Sequence, residues 1–439
     1  MSKIYKPRPI SGFLEWLPEM RALELQWLDH IRAVFESYGF VNIETPAVEE
    51  VDVLLSKGET DKEIYTIHRI QADEKDSSDA RLALHFDLTV PFARYTAQHF
   101  NELSFPFKRY QMQKVWRGER PQEGRYREFY QCDIDIINPD NLPMHFDAEL
   151  PAVIDEIMQG LDVPPYTIYI NNRKVLIGYM QSLGLTDNSA MVLRIIDKAD
   201  KIGVDGVKKQ LVEVLKLTPA LADRAVEICK IKGGDMSVIE RAKALNVDNA
   251  LFDEGLEELD YVLNSLQGMV GNRVMADLSI VRGLDYYTGT VYETKFNDYP
   301  ELGTAIAGGR YADLAGNYIA KNLPGVGISI GLSRTLGALY NKGLIKPVRA
   351  SKTEILVTVF EDAQRAEALK VAAGFRKRGI AAEVYHTTQK MQKQLGYAEK
   401  KEIPYVWFLP AEGKGHEVKD MTARTQGPAD PAKWMPDAK

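Results

Sequence analysis

The chain has 439 residues, 45% hydrophobic and 27% charged, with a net charge of −7. At about 150 residues per domain this length suggests three domains, and the composition is that of an ordinary globular protein able to bury substantial cores. The negative balance excludes a chain-wide basic field but not a local basic patch for nucleic acid. Two cysteines, Cys132 and Cys229, cannot build a disulfide framework or a four-cysteine zinc site. The opening residues, MSKIYKPRP, hold no apolar leader core, and no run of about 18 apolar residues occurs anywhere. A soluble, cytoplasmic protein in a reducing compartment is expected.

In chain order, Leu23, Trp27, Ile31, Val34 or Phe35, and Tyr38 share one face at helical spacing, predicting an amphipathic helix over residues 21–38 with Gly39 as its stop. His30 on that helix reads as a surface residue. Residues 40–46 follow as a strand ended by Pro46. The stretch RLALHFDLTVPFARY, residues 81–95, alternates. It predicts a strand with His85, Asp87 and Thr89 on one face and Phe86, Leu88 and Val90 on the other. The polar face is either solvated or lines a cleft.

Residues 107–137 predict a hairpin, with a first strand to about Arg117, a loop holding Gly118, Pro121 and Gly124, and a second strand from near Arg127. On the second strand Gln131, Asp133 and Asp135 point one way; Tyr130, Cys132, Ile134 and Ile136 point the other. Cys132 therefore reads as core. The loop carries Arg117, Arg120, Arg125 and Arg127 within eleven residues. Such clusters are commonly solvated tips, but guanidinium forks also suit phosphate oxygens bidentately, and a triphosphate needs several.

Residues 166–272 begin with a strand-like segment and continue as lysine-rich amphipathic helices, predicting a mainly helical insertion. Residues 281–293, VRGLDYYTGTVYE, place a fixed cation (Arg282), a flexible glycine, a carboxylate and two phenols (Tyr286, Tyr287) ahead of a β-branched, aromatic strand. GTAIAGGRYADL follows, its paired glycines permitting close backbone approach. GVGISIGLSRTLGALY then gives a strand and a helix start with Arg334 near the helix N-terminus, an anion-binding arrangement. Residues 343–352 read as a linker. Beyond them, strands at 355–360, 381–385, 404–409 and near Val418 alternate with helices at 362–377 and 390–401, predicting a small α/β domain without a phosphate-loop fingerprint.

These stretches together resemble the histidyl-tRNA synthetases over nearly the whole chain. The helix followed by YGFVNIETPAVEE resembles class II motif 1, a dimer-interface element, which implies a homodimer. The RGERPQEGRYREF loop resembles motif 2 in the form particular to histidyl enzymes and their close paralogues. GLSRTLG resembles motif 3, and the two stretches around residues 283 and 309 resemble the two histidine signatures. The resemblance implies an α+β catalytic domain on an antiparallel sheet, divided between residues 1–165 and 273–342 around the insertion at 166–272. Residues 353–439 would form an α/β anticodon-binding domain.

It further implies histidine activation by ATP with Mg2+, then transfer to the tRNA. By motif match Arg117 and Arg282 are the catalytic cations on the α-phosphate. Arg334 would meet the γ-phosphate, with Arg125 also on ATP. Asp87, Thr89 and Gln131 would hold the substrate ammonium, and Asp135 and Tyr287 the imidazole, with Tyr286 beside them. Arg120 and Gln122 would touch the tRNA acceptor end. The sequence departs from the family at His85, usually Arg, at Asp135, often Glu, at Ala312, usually Asp, and in the tail. The competing resemblance is to the non-catalytic synthetase-like regulatory subunit of ATP phosphoribosyltransferase. Such paralogues typically lose the C-terminal domain and erode catalytic positions.

Overall fold

The computed structural model describes residues 4–55, 63–69, 81–120, 124–283, 286–411 and 415–437. Contacts divide the chain into one unit of residues 1–15 and 27–346 and another of residues 16–26 and 347–439.

In the first unit the strands are β1 (Val41–Asn42), β2 (Val48–Glu50), β3 (Leu82–Leu84), β4 (Phe107–Trp116), β5 (Glu128–Ile137), β6 (Tyr166–Asn172), β7 (Lys232–Gly233), β8 (Val274–Asp277), β9 (Tyr287–Phe296), β10 (Thr304–Tyr311) and β11 (Gly325–Gly331). Among the described residues nine of them form one sheet, ordered β1-β4-β5-β11-β10-β9-β6-β8-β7, while β2 and β3 pair separately. From β4 to β6 every neighbour is antiparallel; β1 runs parallel to β4 and β8 to β6. The expected antiparallel sheet is therefore present. The helices are α1 (Pro18–Ser37), of which residues 27–37 belong to this unit, α2 (Val51–Leu55), α3 (Thr89–Gln98), α4 (His145–Gly160), α5 (Arg173–Ser182), α6 (Ser189–Ile196), α7 (Ala199–Leu215), α8 (Pro219–Glu227), α9 (Ser237–Lys243), α10 (Ala250–Leu266) and α11 (Leu332–Asn341).

Strand alternation assigns the two faces of this sheet. Cys132, Ile134 and Ile136 of β5 are fully buried. On the same apolar side, Ile306 and Ile330 of β10 and β11 meet Trp27 and Ile31 of α1 and Ile157 and Met158 of α4 around a void of only about 10 Å³. The opposite face carries Gln131, Asp133 and Asp135. Across β4 these face Gln113, Gln111 and Arg109; across β11 they face Gly331, Ser329 and Gly327. Ala307 and Gly309 of β10 continue that row. Small residues in the middle strands thus leave a floor between polar walls.

Two elements differ from the sequence reading. The strand expected over residues 81–95 ends at Leu84, and Thr89 begins a helix, α3. Asp87 accepts the Val90 backbone N–H at 3.0 Å, satisfying one donor that a helix start leaves open. Pro91 falls in the first turn, where its missing N–H costs no intrahelical bond. The alternation of residues 82–90 masked a helix whose buried residues are Val90, Pro91, Phe92, Ala93 and Thr96. The second difference concerns Tyr166–Asn172, read as the lead-in to the helical insertion. It is an interior strand of the large sheet, hydrogen-bonded on both sides.

The second unit contains β12 (Ile355–Val357), α12 (Arg365–Lys377), β13 (Ala382–Val384), α13 (Met391–Lys400), β14 (Tyr405–Phe408), β15 (Glu417–Asp420) and β16 (Gln426–Pro428). Its sheet is ordered β13-β12-β14-β15-β16, parallel over the first three and antiparallel over the last two. The tail supplies β16 and then Trp434, whose ring packs 5.0 Å from Tyr405, 5.8 Å from Phe375 and 5.9 Å from Trp407. Arg378 pins this segment by donating to the carbonyls of Trp434 and Pro431 at 2.8 and 2.5 Å.

Candidate active site

Four arginines from three separate stretches border one cavity of about 270 Å³, with Phe129, Gln131, Thr304, Ala307, Ser329 and Gly331 among its other walls. Arg117 sits where the β4–β5 hairpin closes, its backbone N–H on the Arg127 carbonyl at 2.9 Å. Its Nε donates to the Phe86 carbonyl at 3.0 Å, and its guanidinium lies over the Phe129 ring at 5.4 Å. Arg125, from the hairpin loop, is 3.5 Å from Glu119. Arg282 precedes β9 and is held by Glu293 and Thr304. Glu293 is 3% exposed and also meets Lys295 at 3.0 Å. Against the upward push of burial, Arg282 and Lys295 hold its carboxyl below the usual range. Arg334 occupies the first turn of α11. Burial, then the charges of Arg125, Arg282 and Arg117, pull its pKa down from the ordinary arginine value. Among the described residues no carboxylate lies within salt-bridge distance of Arg334. This is an unbalanced cluster of cations, suited to an anion of several charges.

Along β5 the wall changes sign. Gln131 lines the cavity, and its Nε2 donates to the Ser329 hydroxyl at 2.9 Å. Asp133 stands two residues further, roughly 7 Å along a strand. Burial first, then Asp135 and Asp87, push its carboxyl up to about 7 against the opposing pull of Arg109 and Ser329. The Asp133 Oδ1 and Gln131 Oε1 atoms are buried acceptors with no hydrogen-bond partner among the described residues. Asp135 comes next. Its Oδ2 is 2.5 Å from the fully buried Arg109, and its Oδ1 accepts from the Tyr311 hydroxyl at 3.0 Å.

Two glycines make this crowding feasible. A Cβ on Gly327 would lie 2.1 Å from Asp135 Oδ1, and one on Gly309 would lie 2.9 Å from the Tyr287 ring. Tyr286 packs edge-on to Tyr287 and at a tilt to Tyr311, with centroid separations of 5.2 and 5.1 Å. Burial and then Asp135 drive all three phenols upward, so they remain protonated donors. The charge of Arg282 opposes this at Tyr287, which therefore stands between the cationic and anionic halves.

Comparison with known proteins settles the family. A family described as histidyl-tRNA synthetase matches residues 12–335, and one described as an anticodon binding domain matches residues 353–423. The chain belongs to the histidyl-tRNA synthetase family. It is 56% identical to the histidine–tRNA ligase of Thermobifida fusca, over 98% of this chain and 99% of the relative. It is 46% identical to that of Micrococcus luteus over 98% and 96%. The crystal structure of histidyl-tRNA synthetase from Nostoc superposes with a TM-score of 0.88 at 37% identity, covering 97% of each chain. A Bacillus halodurans structure described as an ATP phosphoribosyltransferase regulatory subunit/histidyl-tRNA synthetase shares the fold, with a TM-score of 0.74 at 20% identity over 90% of this chain and 97% of that one. The fold is that of a class II synthetase with an anticodon-binding domain.

Against the positions expected from the histidyl-tRNA synthetase resemblance, Arg117, Arg125, Arg282, Arg334 and Gln131 share the cavity. Buried Asp135 and half-buried Tyr286 and Tyr287 lie in an adjoining cluster rather than on the cavity wall, and Asp87 is close enough to influence Asp133 and both tyrosines. Thr89 is half-buried at the first residue of α3. Arg120 is exposed on the hairpin loop and is not among the cavity's walls; Gln122 lies outside the described residues. His85, the departure from the family's usual arginine, is fully buried, bonded to the Lys114 carbonyl at 2.7 Å and stacked near Trp116. Burial lowers its pKa below that of an ordinary imidazole, even though its contact with Lys114 acts the other way.

Arg310 of the second signature is committed to the buried Asp147 of α4, at 3.0 Å from its Nε to each carboxylate oxygen. The sequence reading missed Arg109, Glu293 and Ser329. For Arg109 the signal was present: Arg109, Gln111 and Gln113 alternate on β4 as the acids do on β5.

Proposed function

We infer that the chain is a histidine–tRNA ligase, which joins L-histidine to its tRNA in two steps. The histidine carboxylate attacks the α-phosphorus of ATP, giving histidyl-adenylate and releasing pyrophosphate. A ribose hydroxyl of the tRNA's 3′-terminal adenosine then attacks the mixed anhydride, giving histidyl-tRNA and AMP. Neither step requires a side-chain nucleophile. Catalysis rests on bringing two anions together and offsetting the charge that grows at phosphorus.

The observation that carries the site assignment is the convergence of Arg117, Arg125, Arg282 and Arg334 on one cavity, beside a buried group of carboxylates and phenols. In this reading Arg117 and Arg282 grip the α-phosphate and Arg334 the γ-phosphate, with Arg125 closing over the nucleotide. Gln131, Asp87 and Thr89 receive the substrate ammonium. Asp135 and Tyr287 pair with the imidazole nitrogens, and Tyr286 supports them. A site built from buried polar partners rejects analogues lacking them far more strongly than an apolar slot does. The opposed charges of the two halves also orient the amino acid, carboxylate toward the guanidiniums and ammonium toward the acids.

Mg2+ enters as the counter-ion of ATP, on phosphate oxygens. Among the described residues no group of three or more His, Cys, Asp or Glu side chains is arranged to hold a metal ion. Arg120 and Gln122 meet the tRNA acceptor end, and the second unit reads its anticodon. The protein works as a homodimer through the region of α1 and β1, in the cytoplasm; among the described residues no helix is long and apolar enough to cross a membrane. The regulatory-subunit alternative is disfavoured by the retained Arg117, Arg282 and Arg334 and by the anticodon-binding domain matched at residues 353–423.

The test is ATP–pyrophosphate exchange with each of the twenty amino acids. Exchange with histidine alone is expected, and absence of histidine-dependent exchange would refute the reading. An active monomer in sedimentation would refute the dimer.

A further inference from the structure

We propose that Arg109 is a positioning residue for imidazole selection, acting through Asp135; this deepens the histidine-site reading above and rests on it. Arg109 lies on β4 directly across from Asp135 on β5, and its side chain is fully buried. Its guanidinium stacks over Phe92 at 4.1 Å and approaches Asp135 Oδ2 at 2.5 Å. Nε, Nη1 and Nη2 all lack a hydrogen-bond acceptor among the described residues, so the approach of Nη2 to Asp135 is a charge contact rather than a hydrogen bond.

A buried ion pair is weak evidence of a stability role, because desolvation offsets most of the attraction and apolar replacements often serve as well. The surroundings of this pair point to a task instead. Asp135 shares its neighbourhood with Asp133 and Asp87, and Arg109 is the cation felt by Asp133, Tyr286 and Tyr311 alike. Without it, three acids would face one another in a buried space, and such groups take up protons rather than remain ionised together. A protonated Asp135 would offer a donor where an imidazole N–H requires an acceptor.

Geometry leads to the same role. An ionised carboxylate has about four acceptor positions. The Arg109 charge lies against Oδ2 and the Tyr311 hydroxyl donates to Oδ1, so the group is held at both oxygens. The missing side chain at Gly327 lets the carboxylate lie against β11, where a Cβ would sit 2.1 Å away. Aspartate is one methylene shorter than glutamate, so its reach depends on being held at one angle. The Arg109–Tyr311 grip supplies that angle.

The experiment is pyrophosphate exchange with wild type, Arg109→Met and Arg109→Lys, measuring KM and kcat for histidine and for ATP. Each protein is also tested against β-(2-thienyl)alanine, which lacks a ring N–H, with thermal melting alongside. Histidine-dependent exchange by wild type comes first, and its absence would overturn the functional reading itself. For Arg109→Met the expected result is a rise of tenfold or more in the KM for histidine. The ATP KM should stay within twofold, and the preference for histidine over the thienyl analogue should fall by a similar factor. Arg109→Lys should recover part of both losses. An unchanged histidine KM and preference in Arg109→Met overturns the assignment of Arg109 alone. So does a loss shared equally by histidine and ATP that Lys does not restore. Should Arg109→Met fail to fold, Arg109→Lys decides by itself: it keeps the charge but not the planar fork, so the histidine KM must still rise severalfold, and an unchanged value overturns the proposal.

Discussion

Replacing Gly327 by Ala adds one methyl group at the point where the floor of the site meets its acidic wall. The new Cβ would lie 2.1 Å from Asp135 Oδ1, 2.6 Å from its Cγ and 2.6 Å from the Ile134 carbonyl. The last contact is backbone on the neighbouring strand, so relief must come from the carboxylate or from opening the β5–β11 ladder. Overpacking of this kind typically costs about 1–3 kcal/mol in stability. A displaced carboxylate also loses its bond from Tyr311, worth roughly 1.5–3 kcal/mol as a hydrogen bond to a charged group. If one such interaction is withdrawn from histidine binding, the KM for histidine rises about 10- to 150-fold, at 1.4 kcal/mol per tenfold. ATP should bind as before, since the Arg117, Arg282 and Arg334 side of the cavity is untouched. The assay is pyrophosphate exchange with histidine and ATP varied separately. Gly374→Ala in α12 is the control: nothing lies within 4 Å of its Cβ position, and alanine there should stabilise by up to about 1 kcal/mol through helix propensity. A histidine KM for Gly327→Ala within twofold of wild type would refute the reasoning.

Arg282→Ala should abolish adenylate formation while the protein still folds, because Lys295 remains beside Glu293 at 3.0 Å. Near-normal pyrophosphate exchange would count against the catalytic assignment, and loss of the melting transition against the retained fold. Asp133→Asn tests a buried carboxyl pushed up to about 7 in the ligand-free protein. A pKa raised above the unfolded value gives stability that is full below about pH 4 and lost as pH rises to about 7. The variant's melting temperature should therefore gain on wild type between pH 5 and pH 8, and an equal offset at both would show that Asp133 does not titrate there. Trp434→Ala should lower the stability of the second unit by about 2–4 kcal/mol, somewhat below a fully buried tryptophan because this one is half-buried. Denaturant melting measures it, and an unaltered midpoint would show the tail to be dispensable.

The elements that repeat a simple period were legible before any coordinates. The amphipathic face of α1, the β4–β5 hairpin and the alternation of acids on β5 follow from spacing alone. The arginine convergence was legible only through resemblance: Arg117, Arg282 and Arg334 are separated by 165 and 52 residues, and nothing local says that they meet. The strand reading of residues 81–95 fails beyond Leu84 because alternation and helical periodicity agree over so short a stretch. What decided between them was the Asp87 carboxylate accepting the Val90 N–H and a proline tolerated in the first turn, both weaker signals than a run of hydrophobic residues. The tail gave no periodic signal at all. Its place in the second unit depends on Trp434 finding three other rings, a tertiary event.

Arg109 illustrates the remaining gap. A basic residue between Lys108 and Tyr110 reads locally as solvated, and lysine at 108 does retain partial exposure beside Glu149. Arg109 differs only in parity, which turns it inward. Once inward it cannot remain without a counter-charge at any tolerable desolvation cost, so its position obliges an acid on the facing strand, and Asp135 is the residue in register. The shortened acid and the inward arginine are therefore best understood as one unit. Substituting either alone should leave a buried charge without compensation, whereas the double variant Arg109→Met/Asp135→Asn should fold with near wild-type melting and still fail to select histidine. A double variant that melts no better than the worse single substitution would show that the two residues are not coupled.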